Sequence, residues 1–324
     1  MPLKALVRTL RICCTAFLLA LGAGWQTAAL ARTTAPTAFA ALPKAQQAAV
    51  NDLEKRTFDY FRDSANVSNG QIPDHWPQDK GDYFSSIAAV GFGLTAYGIG
   101  AERGWMTRSE AARRTLATLK FFHDAPQGNE ANVTGNHGFF YHFLDMKIGR
   151  RYQSRRWVEL STIDTTLLLG GVLFSESYYD RNSKEEKQIR QLADEIYRRV
   201  DWQWASPRPP LVAMGWTPES GFIHADWQGY NEAMLLYVLA LGSPTHAIDK
   251  SAWKVWTETY DKTWGSFQGQ EHLGFAPLFG HQYSHVWIDF RGIQDDYMRA
   301  HGIDYFENSR RATFAQREYA IHNP

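Results

Sequence analysis

Three stretches of this chain set carboxylates among aromatic and hydrogen-bonding side chains. The first is Met214 to Pro244, MGWTPESGFIHADWQGYNEAMLLYVLALGSP, in which a loop carrying Trp216, Trp227 and Tyr230 leads into Glu232 and then an apolar run. The second is Trp157 to Thr165, where Glu159 and Asp164 flank Ser161. The third, Gly280 to Asp296, holds His281, Tyr283, His285, Trp287, Asp289, Arg291, Asp295 and Asp296 within seventeen residues. Carboxylates beside tryptophan faces are what sugar chemistry needs, because rings stack on sugars and a pair of carboxyl groups does the acid–base work. Glu232 is the leading candidate for a catalytic acid. Asp164 and Glu159 are candidates for the base or for holding substrate. Trp216, Trp227, Tyr230, His285, Trp287, Asp289 and Arg291 are the candidate sugar-binding side chains.

Each carboxylate also has a plainer job open to it. Glu232 reads as a first-turn residue that the helix dipole favours. The dipole would lower its pKa and burial against rings would raise it, so its protonation rests on which effect wins. Ser161 and Asp164 make an S-x-x-D capping box, and Asp289 reads as a helix cap. His281 and His285 are four apart, but the H-E-x-x-H zinc signature is absent, so no metal is expected. No nucleophile elbow or P-loop is present, and Gly91-Phe92-Gly93 lies within a helical run, where it suits close helix packing. No cofactor is called for.

The elements that must carry these residues read as helices almost throughout. Apolar spacing predicts an amphipathic helix from Lys44 to Asp63 and a small-residue helix over 85–104 that neighbours can approach closely. A helix over 107–125 starts at a T-x-x-E box, Thr107 to Glu110. A buried helix over 162–179 precedes an amphipathic one over 184–200. Further helices are expected at 231–242 and 250–264, and two more within 289–321, broken near Gly302. Residues 66–82 and 265–285 read as loops, and 134–145 as a strand or hairpin at a rim. Buried helices alternating with amphipathic ones predict an all-α toroid of helical hairpins. About nine helices, against the twelve of a closed six-hairpin ring, lead to the expectation that the ring is incomplete at its C-terminal side.

Lys4, Arg8 and Arg11 precede an apolar run and an Ala29-Leu30-Ala31 site, the pattern of a bacterial secretory leader over 1–31. Residues 32–43 then form a tether and 44–324 the domain. Removing 31 of the 324 residues leaves 293, and takes both cysteines with it, which excludes thiol chemistry. The mature chain keeps 31 of the 34 basic residues against all 34 acidic ones. That balance gives no reason to expect nucleic acid or an anionic membrane as partner. Periplasmic or secreted location, a neutral glucan partner and no membrane association after leader removal are the expectations.

The motifs ELSTIDTTLLLGG, MGWTPESGFI, GYNEAMLLYVLALGSP and FGHQYSHVWIDFRGIQDDYMRAHGIDYFENSRRAT resemble those of glycoamylase-like domain proteins, often named glucoamylases. Their characterised relatives are the endo-β-1,2-glucanases of glycoside hydrolase family 144. The resemblance runs from about Leu53 to Pro324. It implies an (α/α)6 toroid, export, and hydrolysis of β-1,2-glucan with inversion. It also implies that Glu232 matches an essential acidic residue and that Asp164 and Glu159 match acidic positions lining the cleft. In such proteins the chain continues past AIHNP, where a further cleft carboxylate lies. Two other functions stay open: a polysaccharide lyase using Tyr283, His285 and Arg291, and a glucan-binding protein without catalysis.

Overall fold

The computed structural model describes residues 39–77, 83–153 and 157–323. The leader at 1–31 and the first part of the tether, to residue 38, lie outside the described residues. The chain divides into a short N-terminal unit ending at Lys55 and a main unit from Arg56 onward. In the first, a turn precedes the start of helix α1 (Lys44–Ser64), and the Gln47 amide donates to the Leu42 carbonyl at 2.7 Å. All that follows concerns the main unit.

Two buried helices form its centre. Helix α2 (Ile87–Glu102) and helix α4 (Thr162–Tyr178) are apolar nearly all round, so neither has a face suited to water. Glycines let them meet backbone to backbone. A Cβ on Gly91 would stand 2.2 Å from the Leu167 carbonyl oxygen, and one on Gly171 would stand 2.1 Å from that of Gly91. The close packing expected of the small-residue run is thus present. Helices α3 (Arg108–Asp124) and α5 (Lys184–Arg199) cover this pair with amphipathic faces. Thr107 caps α3 by accepting from the Glu110 N–H, as the T-x-x-E box requires. The Arg108 guanidinium ties α3 to α5 through Glu186 at 2.8 Å and lies over the Tyr178 ring.

The all-α expectation is overturned by strands. Strands β2 (Gly135–Asn136), β3 (Phe139–Tyr141), β5 (Leu160–Ser161), β6 (Gly215–Thr217) and β7 (Gly221–Phe222) form one antiparallel five-stranded sheet in that order. Strand β1 (Phe84–Ser86) pairs with β4 (Phe143–Asp145) beside it. The helical hairpins are real, but the segments between them pair with one another rather than forming irregular loops. Residues 134–145 are strands, as expected, whereas 215–222 was expected to be loop and is a hairpin. Strands of two or three residues are too short to show alternation. Their pairing, such as Leu160 with Trp216, links positions far apart in sequence.

The C-terminal third holds helices α6 (Met234–Leu241), α7 (Ser251–Thr257), α8 (Asp296–Ala300) and α9 (Tyr305–His322), the last two broken at Gly302 as expected. The 265–285 segment, expected to be loop, contains a further hairpin, β8 (Trp264–Phe267) with β9 (Gln270–Leu273). Its two central residues, Gln268 and Gly269, have φ of 50° and 75°. Positive φ at both matches the twist of a two-residue hairpin. No described helix is long and apolar enough to cross a membrane.

Candidate active site

The two central helices begin in the same way. A short strand ends in serine, Ser86 or Ser161, whose hydroxyl accepts a backbone N–H of the first turn, from Ala89 or Asp164. Because the bodies of these helices are apolar, polar groups collect at their entrances. At the α4 entrance Asp164 is 9% exposed. The capping box is half what was expected. Ser161 Oγ accepts from the Asp164 N–H at 3.1 Å, and its own hydroxyl donates to Asp164 Oδ2 at 2.5 Å. The carboxylate also faces His142, with Nε2 3.5 Å from Oδ2. The other ring nitrogen, Nδ1, lies 3.0 Å from Glu159 Oε1. One imidazole therefore stands between two carboxylates.

Sequence reasoning placed His142 on a rim strand without giving it a role. The backbone explains its position: the His142 N–H donates to the Glu159 carbonyl at 2.9 Å, and its carbonyl accepts from the Ile87 N–H at 3.3 Å. The ring stacks on Phe143 with centroids 3.8 Å apart. Burial pushes the imidazole pKa down. The hydrogen bond to Glu159 and the charges of Asp164, Glu159 and Asp74 outweigh it, leaving His142 above the ordinary histidine value. Asp164 is pushed up by burial, against the charge of His142 and the Ser161 hydroxyl, which pull it down, while Glu159 and Asp74 raise it further. Asp74, in the 66–77 loop, was also passed over. Among the described residues His142, Glu159 and Asp164 also form a group that could each offer an atom to a cation, all within 4.8 Å of one another. Both imidazole nitrogens already face carboxylate oxygens, so the three satisfy one another as a bridged ion pair.

Glu232 lies just ahead of α6, which starts at Met234 with Ala233 as an uncapped N-cap, so it is outside the first turn assigned to it. The Ser284 hydroxyl holds this entrance by accepting the Leu235 N–H at 3.2 Å and donating to the Glu232 carbonyl at 3.3 Å. Its side-chain Oε2 is buried with no hydrogen-bond partner. Burial raises its pKa, a hydrogen bond from its own backbone opposes this, and the charge of Asp164 adds to the rise. The net direction is upward, with burial the largest cause. The other acidic side chains of its stretch are engaged elsewhere: Glu219 pairs with Arg151 and Asp226 with Arg208, each at 2.6 Å.

The aromatic candidates separate into two groups. Trp227 donates from Nε1 to Thr162 Oγ1 at 3.0 Å, at the first residue of α4. Trp216 is paired beside Leu160 and packs against Trp204. Trp287 donates to Thr95 Oγ1 at 3.0 Å, covers Gly170 and meets Phe92, which also meets Tyr283. Trp227 and Trp216 are thus held at the α4 entrance, Trp287 lies along α4, and Tyr283 is within electrostatic reach of Glu232 and Asp164. Tyr230 stands apart: it is 4% exposed, bonded to Ser309, and packed among Tyr260, His281 and Tyr305 as a core residue. His285 also bonds Ser309, at 2.8 Å, while Asp289 and Arg291 pair with each other at the surface. His281 and His285 have separate partners, the Phe275 carbonyl and Ser309. The Tyr283 hydroxyl is pushed up by burial and by Glu232 and Asp164, the reverse of what a lyase's ionised tyrosine base needs. A cavity of about 630 Å³ lies at β8, β9 and α9, lined by Phe267, Phe275, Pro277 and His281 among others, and has no carboxylate in its wall.

Comparison with known proteins follows the same lines. The Glycoamylase family model, described as "Putative glucoamylase", matches residues 224–324. The chain is 25% identical over 309 residues to an exo beta-1,2-glucooligosaccharide sophorohydrolase (non-reducing end) of Parabacteroides distasonis. That alignment covers 87% of this chain and 41% of the relative, so the chain spans about two fifths of that protein's length. Among solved structures, a "putative glucoamylase" from Bacteroides fragilis superposes with a TM-score of 0.75 at 27% identity, covering 88% of this chain and 68% of that one. An endo-beta-1,2-glucanase from Chitinophaga pinensis, solved with sophorotriose and glucose, shares the fold with a TM-score of 0.74 at 24% identity, covering 86% and 68%. The family model thus matches the C-terminal part of the chain, GYNEAM included, and the fold is shared with these proteins over most of the chain's length.

Proposed function

We propose that this chain is a glycoside hydrolase that cleaves β-1,2-linked glucan by inversion. The observation that carries the reading is the Glu232 carboxyl, with Oε2 buried and without a hydrogen-bond partner, within electrostatic reach of Asp164 of the His142–Glu159–Asp164 cluster. A carboxyl whose pKa burial raises suits the acid that protonates the leaving oxygen. Asp164 or Glu159 is then the carboxylate that activates water on the other side of the sugar. Trp227, Trp216 and Trp287 supply ring faces around it. The glucan linkage rests on the relatives, whose names specify β-1,2-glucan or its oligosaccharides. Export through the 1–31 leader belongs to the same proposal and rests on the leader pattern. N-terminal sequencing of the periplasmic protein tests it.

The deciding assay is reducing-end release from linear β-1,2-glucan by the purified chain, with starch and laminarin as controls. Release from β-1,2-glucan alone, with the anomer inverted by NMR, is the expected result. Binding of β-1,2-glucan without release would mark a non-catalytic binder. An unsaturated, ultraviolet-absorbing product from a uronate polymer would mark a lyase.

A further inference from the structure

We propose that His142 is a positioning residue for the reaction: its imidazolium clamps Glu159 through Nδ1 and Asp164 through Nε2, and so fixes Asp164 as the carboxylate that receives the proton of the attacking water. This rests on the proposed hydrolase reading for the reaction, but the clamp itself is a property of the protein alone.

Several independent restraints make His142 an anchor rather than a passing contact. Its backbone is bonded on both sides, to Glu159 and to Ile87. Its ring is stacked on Phe143, and its side chain is only 28% exposed. The groups facing it come from three different elements: Glu159 ahead of β5, Asp164 in the first turn of α4, and Asp74 from the 66–77 loop. All three are acidic. Among the groups acting most strongly on Asp164, His142 alone is cationic, while Glu159 and Asp74 oppose ionisation. Glu232, in turn, has its pKa raised by burial and further by the charge on Asp164. The imidazolium thus acts through Asp164 on both partners. It favours the carboxylate at Asp164, and that carboxylate favours the proton on Glu232. Two carboxyl groups that burial alone would treat alike are given different roles. The proton moves from water to Asp164 as the water oxygen bonds to the anomeric carbon. The glycosidic bond breaks as Glu232 gives its proton to the leaving oxygen.

Two measurements test this separately. Nitrogen NMR of the His142 ring in the full chain should show a titration above that of a free histidine, displaced downward in both Glu159→Gln and Asp164→Asn. A His142 titration unmoved by either variant overturns the clamp, whether or not the protein hydrolyses glucan. The kinetic arm uses His142→Gln, with circular dichroism and thermal midpoint checked against the wild type. On β-1,2-glucan oligomers kcat should fall about tenfold or more, part of the contribution of a positioned base. KM should stay within about threefold, and the acidic limb of the pH profile should move upward. His142→Gly should regain part of the lost kcat with added imidazole. A folded His142→Gln with an unchanged kcat and pH profile overturns the positioning role. A wild type that shows the ring titration but no hydrolysis overturns the hydrolase reading and leaves the clamp supported.

Discussion

Replacing Glu232 by glutamine separates the roles of its proton from those of its shape. The amide is nearly isosteric with the carboxyl, and the buried Oε2 has no partner to lose. The Leu235 N–H and the Glu232 carbonyl, both held by Ser284, involve only backbone on the α6 side and survive the change. The fold should therefore stay intact, while the proton donor is gone. A positioned general acid contributes about 10²–10⁴ to the rate, or roughly 3–5 kcal/mol of barrier at about 1.4 kcal/mol per tenfold. The kcat of Glu232→Gln on β-1,2-glucan should fall by that factor, with KM changed little, because the group acts on the leaving oxygen rather than on ground-state binding.

Stability gives a second, independent readout with a defined sign. Burial holds the Glu232 pKa above its ordinary 4.5 in the folded protein. Below the ordinary value both states are protonated and the wild type loses nothing. As pH rises through the folded pKa, the unfolded chain has already released its proton while the folded one still binds it, so stability declines. The variant has no such term. Its thermal midpoint should match the wild type at about pH 4 and exceed it at about pH 8, where the buried charge is absent. Scanning fluorimetry across that range and reducing-sugar assays on the same samples check both. A variant retaining kcat within about threefold of wild type would refute the acid assignment, and a midpoint difference that does not grow with pH would refute the burial argument behind it.

Gly171→Ala should destabilise the protein by about 3 kcal/mol or more in urea unfolding, because the new Cβ meets the Gly91 carbonyl at 2.1 Å and neither backbone can give; a cost under about 1 kcal/mol would show that the α2–α4 contact is looser than described. His281 is pushed down to about 4 by burial, with its Nε2–H given to the Phe275 carbonyl. Between about 6.5 and 4 the unfolded chain binds the extra proton, so stability should fall as pH drops through that window, by up to about 3 kcal/mol. His281→Gln should flatten this slope, and an equal slope in the variant would assign it to other groups.

Helix positions and caps were legible because their signals are local. Thr107 and Glu110 are three apart, and Ser161 and Asp164 likewise, so the chain announces both entrances within one turn. The apolar runs of α2, α4 and α6 showed which helices are buried, and Gly91 showed where two of them touch. The sheet was not legible, because its strands are two or three residues long and their partners are distant. Phe140 pairs with Ser161, and Leu160 with Trp216. His142 was missed for the same reason: in sequence it is one polar residue in GFFYHFLD, and only pairing β3 with β5 brings Glu159 to its ring. Tyr230 failed in the opposite direction. Its company of tryptophans suggested a sugar platform, but the chain turns it inward onto Tyr260 and Tyr305. Neighbours in sequence predicted the neighbourhood and not the side of the backbone.

The placement of the carboxylates follows from how the buried helices are entered. Helices such as α2 and α4, without a polar face, have no room for acid–base groups along their bodies, so chemistry can sit only where the chain enters them. At α4 the entrance is a strand end, and the sheet brings His142 and Glu159 alongside it. At α6 the entrance is a turn with no side-chain cap, and among the described residues no cation acts on the Glu232 side chain. Both carboxyl groups are raised by burial; what distinguishes them is that Asp164 has an imidazole at 3.5 Å and a serine hydroxyl at 2.5 Å, with the positive end of a seventeen-residue helix behind it. Every one of those features favours the charged form. The sheet that breaks the all-α pattern is therefore what brings the cation to one entrance and leaves the other without one. Without the sheet Asp164 would keep its serine hydroxyl and its helix end but lose the imidazole, the one cation that sets it apart from Glu232.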